Sequence, residues 1–99
     1  MAARPRVVVI DERGRAPFVT PALARALGDR HRGVGFDQLA VLSNVAEADV
    51  GLTFYNPDGS LSAACGNATR CIAAHEMARH TRDTLTLKTE RGVLSARSL

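Results

Sequence analysis

Two thiols, Cys65 and Cys71, are the side chains of this 99-residue sequence best suited to nucleophilic or acid–base chemistry. Cys65 opens the run Cys65-Gly66-Asn67, and a helical stretch follows over about residues 68–79. A cysteine at the start of a helix meets unpaired backbone N–H groups and the positive end of the helix dipole. Both stabilise a thiolate and lower the thiol pKa. Such a thiol can take a proton or give one. The N–H groups of Gly66 and Asn67 are suited to holding a carboxylate or a developing anion. The competing reading of Cys65 is a buried structural cysteine; its place after a strand and a Pro-Asp-Gly turn favours function. Cys71, among alanines and beside Ile72, reads as core packing.

Other chemistries find less support. Cys71 and His75 have the spacing of a metal-binding pair, but two ligands do not make a site. The Cys65–Cys71 separation matches no zinc pattern. No metal is therefore expected. Gly33-Val34-Gly35 precedes a strand where a phosphate-binding loop would precede a helix. Lys88, the sole lysine, falls in a predicted strand without the surroundings of a pyridoxal phosphate site. His31 and His80 read as an exposed loop residue and a helix-end residue.

The elements that must position Cys65 follow from pattern. Residues 6–10 are β-branched and short, and predict a buried strand. Thr20-Pro21 starts a helix, with Thr as N-cap and Pro in the first position, and Gly28 stops it. Strands are expected over residues 38–42 and 50–55, with Val50, Leu52 and Phe54 on one face. Asn56-Pro57-Asp58-Gly59-Ser60 is a turn. The stretch over 68–79 opens apolar nearly all round and ends polar, which predicts a helix that begins inside the protein and finishes at its surface. Residues 84–88 and 93–97 form a hairpin. The fold class is α+β, with mostly antiparallel strands around one buried helix, in a single domain over residues 1–99.

Composition bounds the rest. The chain is 45% hydrophobic and 23% charged, as in ordinary globular domains rather than disordered ones. The net charge of +3 comes from scattered arginines without interleaved aromatics, which argues against a nucleic-acid surface. No apolar run approaches a membrane span, and no secretory h-region is present. Two cysteines make no disulfide framework, so a cytoplasmic protein with reduced thiols is expected.

Four stretches taken in order resemble the diaminopimelate epimerase family. They are Asp29-Arg30-His31-Arg32-Gly33-Val34-Gly35-Phe36-Asp37-Gln38, Phe54-Tyr55-Asn56-Pro57-Asp58-Gly59-Ser60, Cys65-Gly66-Asn67-Ala68-Thr69-Arg70-Cys71, and Lys88-Thr89-Glu90-Arg91-Gly92-Val93-Leu94. The third is similar to the family's Cys-Gly-Asn-Gly-x-Arg-Cys signature, with Ala68 in place of Gly. The resemblance implies an epimerase-like half-domain and a cofactor-independent conversion of LL- to meso-diaminopimelate, a step of lysine biosynthesis. In that chemistry one cysteine removes the α-proton and a second protonates the opposite face. Cys65 matches the first catalytic cysteine; Gln38, Asn56, Gly66 and Asn67 match substrate-contacting positions.

The family's opening His-Gly-x-Gly-Asn-Asp segment has no counterpart here, where Met1-Ala2-Ala3-Arg4-Pro5-Arg6 stands, and the second half of the family's chain has none either. The expectation is a half-enzyme, inactive alone, whose partners are an amino-acid substrate and the missing C-terminal half-domain, or a second copy in a homodimer. The alternative is a non-catalytic remnant or interaction module that keeps the half-fold.

Overall fold

The computed structural model describes residues 6–63 and 66–97, with Asn67 described through its backbone only. The elements run β1 (Val7–Asp11), α1 (Pro21–Gly28), β2 (Gln38–Ser43), β3 (Val50–Tyr55), β4 (Leu61–Ser62), α2 (Gly66–Arg79), β5 (Thr84–Thr89) and β6 (Gly92–Arg97). They form one six-stranded mixed sheet in the order β1-β2-β3-β5-β6, with β4 paired to β3. The β1–β2 and β3–β5 pairings are parallel and the other three antiparallel. The fold is α+β as expected, although β4 carries no signal that the sequence patterns revealed.

A helix lies against each face, as layer packing requires of a sheet apolar on both sides. Ala40, Leu42, Val50, Leu52, Phe54, Leu85 and Leu87 form the core shared with Ile72, Ala73 and Met77 of α2. Leu39 and Val41, with the opposite parity along β2, pack with Ala24 of α1. The predicted burial of β1 is corrected: Val7 and Val9 are exposed. β1 is a sheet edge, and only its other parity, Val8 and Ile10, reaches the α1 side of the core.

Local chemistry fixes the helices. Thr20 Oγ1 accepts from Leu23 N at 3.1 Å, and Pro21 follows the cap. The buried Glu12 carboxylate accepts from the N–H groups of Phe18 and Val19, which ties down the approach to α1. At the far end Gly35 N donates to Leu27 O at 2.8 Å, so the glycine-rich loop closes α1. Among the described residues no helix is long and apolar enough to cross a membrane.

Candidate active site

Gln38 is the first residue of β2, anchored by its N–H to Arg6 O. The antiparallel ladder pairs Leu39 with Tyr55, so one further step sets Gln38 across from Asn56 at the end of β3. β4 pairs with that same end of β3, through Phe54 and Ser62. Gln38 Nε2 donates to Ser62 Oγ at 2.9 Å, which fixes the orientation of the half-buried amide.

Asn56 is held more firmly. Its N–H donates to Ser60 O at 2.8 Å and its carbonyl accepts from Gly59 N at 3.0 Å. Its Nδ2 donates to Ser60 Oγ at 3.0 Å, and that hydroxyl donates to Asp58 Oδ1 at 2.6 Å. Hydrogen bonds from the Ser60 side chain and backbone keep the Asp58 carboxyl below the usual carboxylate range. With Nδ2 committed to the turn, the Asn56 side-chain oxygen Oδ1 remains as an acceptor.

Helix α1 braces the turn at both ends. Gly28 packs so closely that a Cβ there would stand 2.5 Å from Pro57 O. Gly59 has φ +88°, and a Cβ on it would strike Pro21 O. Two glycines thus let a helix lie directly on the backbone that carries Asn56.

Gly66 opens α2 four residues after Ser62, within chain reach of about 14 Å. The ladder thus sets Gln38 and Asn56 at one end of the sheet, and the short connection keeps the start of α2 within reach of it. Gly66 differs from the bracing glycines: among the described residues nothing lies within 4 Å of an added Cβ. The backbone of Asn67 lies in the first turn of α2. Cys65, which precedes Gly66 in the sequence, lies outside the described residues.

With that geometry in place, likeness to known proteins becomes decisive. The family model described as diaminopimelate epimerase matches residues 2–98. The chain belongs to the diaminopimelate epimerase family. It is 45% identical over 92 residues to the diaminopimelate epimerase of Rhodospirillum centenum, covering 91% of this chain and 32% of that one. It is 43% identical over 89 residues to the enzyme of that name from Acidiphilium cryptum, again covering 90% of this chain and 32% of the relative. The chain thus spans about a third of the length of the curated relatives it matches. Among solved structures, a PhzF-family phenazine biosynthesis protein of Bacillus anthracis aligns with TM-score 0.67 at 20% identity, covering 97% of this chain and 32% of that one. One from Enterococcus faecalis aligns with TM-score 0.63 at 16% identity, covering 94% and 33%. At those identities the likeness concerns the fold.

The epimerase-family match includes Cys71, and here the reading of the sequence is corrected. Cys71 is exposed. The buried positions of α2 are Thr69, Ile72, Ala73, Glu76 and Met77, one stripe at helical spacing. At 3.6 residues per turn, Cys71 falls nearly opposite that stripe, beside the exposed Ala74 and His75. The helix accordingly does not pass from interior to surface; one side is buried along its length. No group of three or more His, Cys, Asp or Glu side chains among the described residues is placed to hold a metal ion.

Glu76, expected at the polar end, is the largest departure. Its side chain is only 2% exposed. Arg13 Nη2 donates to Glu76 Oε1 at 2.7 Å, and the same guanidinium grips Asp11 through Nε and Nη2 at 2.9 and 2.8 Å. His80 Nε2 stands 3.1 Å from Glu76 Oε2, in ion-pair range but without a hydrogen bond to it. The side-chain hydrogen bond from Arg13, with further help from its backbone N–H and its charge, lowers Asp11 from 3.8 to about 2, against a smaller opposing effect of burial. Asp11 in turn raises Arg13. This cluster ties α2 to the end of β1. Sequence reasoning missed it because its partners lie 63 residues apart. Ser60, which the sequence marks only as a turn residue, and Ser62, which carries no sequence signal, orient the two amides.

Proposed function

We propose that this chain supplies one of the two acid–base thiols, Cys65, of a cofactor-independent epimerase that converts LL- to meso-diaminopimelate, and that alone it is half of the catalytic apparatus. The observation that supports this reading is the start of α2 at Gly66, directly after Cys65 in sequence and within chain reach of the sheet end where Gln38 and Asn56 are oriented. The first-turn N–H groups of a helix have no intrahelical partners. The open space at Gly66 lets an anion approach them. In the step assigned to Cys65, its thiolate takes the α-proton and the electron pair stays on the substrate as a carbanion delocalised into the carboxylate. The Asn56 oxygen suits an ammonium group, and the N–H groups of Gly66 and Asn67 suit the carboxylate.

Inversion then requires a second acid on the opposite face. Cys71 does not suit that role, being about 7.5 Å along the helix axis from Gly66 and turned outward. The second thiol is assigned to polypeptide corresponding to the unmatched two-thirds of the relatives, with a second copy of this chain as the other source.

The test is exchange of the substrate's α-hydrogen with solvent deuterium, followed by NMR, for the Cys71→Ser chain with and without Cys65→Ala. The chain alone is expected to give no net epimerisation, and added C-terminal half of a related epimerase is expected to restore Cys65-dependent turnover. Cys65-dependent epimerisation by the isolated chain would establish the homodimer instead. Absence of any Cys65-dependent exchange, even with the added half, would leave a non-catalytic module.

A further inference from the structure

Each side-chain amide of the candidate site is held by a serine, and in both cases the serine hydroxyl is itself committed. Ser62 Oγ donates to Ala63 O at 3.2 Å, and Ser60 Oγ donates to Asp58 Oδ1 at 2.6 Å. A carbonyl and an ionised carboxylate can only accept, so each hydroxyl has used its one proton. What Ser62 and Ser60 have left is acceptor capacity. An amide facing such a hydroxyl must turn its NH2 group toward it. Gln38 Nε2 does so at 2.9 Å from Ser62 Oγ, and Asn56 Nδ2 at 3.0 Å from Ser60 Oγ. Two separate relays thus set both amides in the same sense, with their oxygens turned from the serines.

The two amides also share a face. Gln38 has the parity of Ala40 and Leu42 along β2, and Asn56 that of Leu52 and Phe54 along β3, which is the α2 side of the sheet. Ser62, paired with Phe54, has the same parity. Gln38 stands one step beyond the Leu39–Tyr55 pair, across from Asn56, and side chains so placed are close neighbours. Among the described residues nothing donates to Gln38 Oε1 or Asn56 Oδ1.

We infer that Ser62 is a specificity-determining positioning residue: it commits Gln38 to the same acceptor sense as Asn56, and the paired oxygens select the ammonium end of a substrate over a carboxylate. An ammonium group brings three donors and no acceptor, so it can use both oxygens at once. A carboxylate brings acceptors only, which the two oxygens repel. This preference runs against the net charge of +3, which by itself favours anions. Ser62 acts through Gln38 and does not itself meet the substrate. The inference rests on the proposed function in taking Gln38 and Asn56 as substrate contacts. Its test involves neither Cys65 nor turnover, so absence of Cys65-dependent exchange would overturn that reading and leave this one standing.

The probes are n-propylammonium and propionate, alike in chain length and opposite in charge. Each is titrated into the ¹⁵N-labelled chain while the side-chain NH2 signals of Gln38 and Asn56 are followed. n-Propylammonium is expected to shift both signals and, at these reporters, to bind at least fivefold more tightly than propionate. In Ser62→Ala, whose fold is checked by its spectral dispersion, the ratio is expected to fall below twofold. In Ser62→Thr, which keeps the hydroxyl, it is expected to recover. The Gln38 NH2 protons should also exchange with solvent more slowly in the parent than in Ser62→Ala. Equal binding of the two probes by the parent, or no shift of either side-chain signal, overturns the inference without recourse to a variant. A preference unchanged in Ser62→Ala, or absent from Ser62→Thr, overturns it as well, because Ser62 is then not its cause.

Discussion

Replacing Arg13 by Met should destabilise the fold far more than replacing its buried partner. Glu76 is 2% exposed, Arg13 20%, and their charged groups meet at 2.7 Å. Opposite charges about 4 Å apart at an effective dielectric near 20 attract by ~4 kcal/mol. Removing one member of a buried pair costs ~3–5 kcal/mol because the other is stranded. Arg13 keeps some contact with solvent, so we take the lower end, about 3 kcal/mol. Against the ~5–15 kcal/mol total of a small domain this is a large fraction. It corresponds to a fall in Tm of roughly 12–24 °C. Glu76→Met leaves Arg13 with Asp11 and water, and should cost about 1 kcal/mol. The double variant should lie within about 1.5 kcal/mol of the parent, since an apolar pair in place of a buried ion pair is often neutral. Urea titrations followed by circular dichroism give the four stabilities of the cycle. Additive single effects, or a loss below about 1 kcal/mol for Arg13→Met, would refute the coupling of α2 to β1 through this pair.

Gly59→Val should lower stability by more than about 2 kcal/mol, since it combines a positive φ with a collision against Pro21 O, while Ser62→Ala should cost only about 1 kcal/mol; equal melting temperatures would remove the bracing of the Asn56 turn from the argument. Asp11 is depressed to about 2 in the fold, so its contribution is fully present above the unfolded value near 4 and is lost as pH falls through about 2. Melting curves of the parent and Asp11→Asn should therefore differ above pH 4 and converge near pH 2, and a constant offset across that window would show that the carboxylate charge is not what Arg13 holds.

Much of the fold was legible because local rules agreed. Thr20-Pro21 and Gly28 bounded α1 correctly, the two-residue period of Val50, Leu52 and Phe54 gave the buried face of β3, and Asp58-Gly59 required the positive φ that the turn contains. The order of the sheet was not legible, since a strand such as β1 looks the same at an edge as in the middle; Val7 and Val9 are apolar yet exposed. At the candidate site, residue types and order supplied Gln38, Asn56 and Gly66 only as expectations, through the family resemblance. What they did not carry was orientation, which depends on Ser62 and Ser60 reaching back across 24 and 4 residues.

The two misreadings in α2 have one physical origin. Alanine is small enough for either environment, and this helix offers Ala68, Ala73, Ala74 and Ala78, so its apolar residues alone do not choose a face. A reading that sends Glu76 to solvent turns the helix by about half a revolution and brings Cys71, Ala74 and Ala78 inward. Arg13 reverses the choice. By neutralising Glu76 from the β1–α1 loop, it makes burial of that carboxylate tolerable, and Thr69, Ile72, Ala73 and Met77 then follow on the same stripe. Cys71 is thereby turned outward and the alanine flank left bordering a groove beside β6. A side chain distant in sequence thus decides that Cys71 faces outward and which flank of α2 borders the groove.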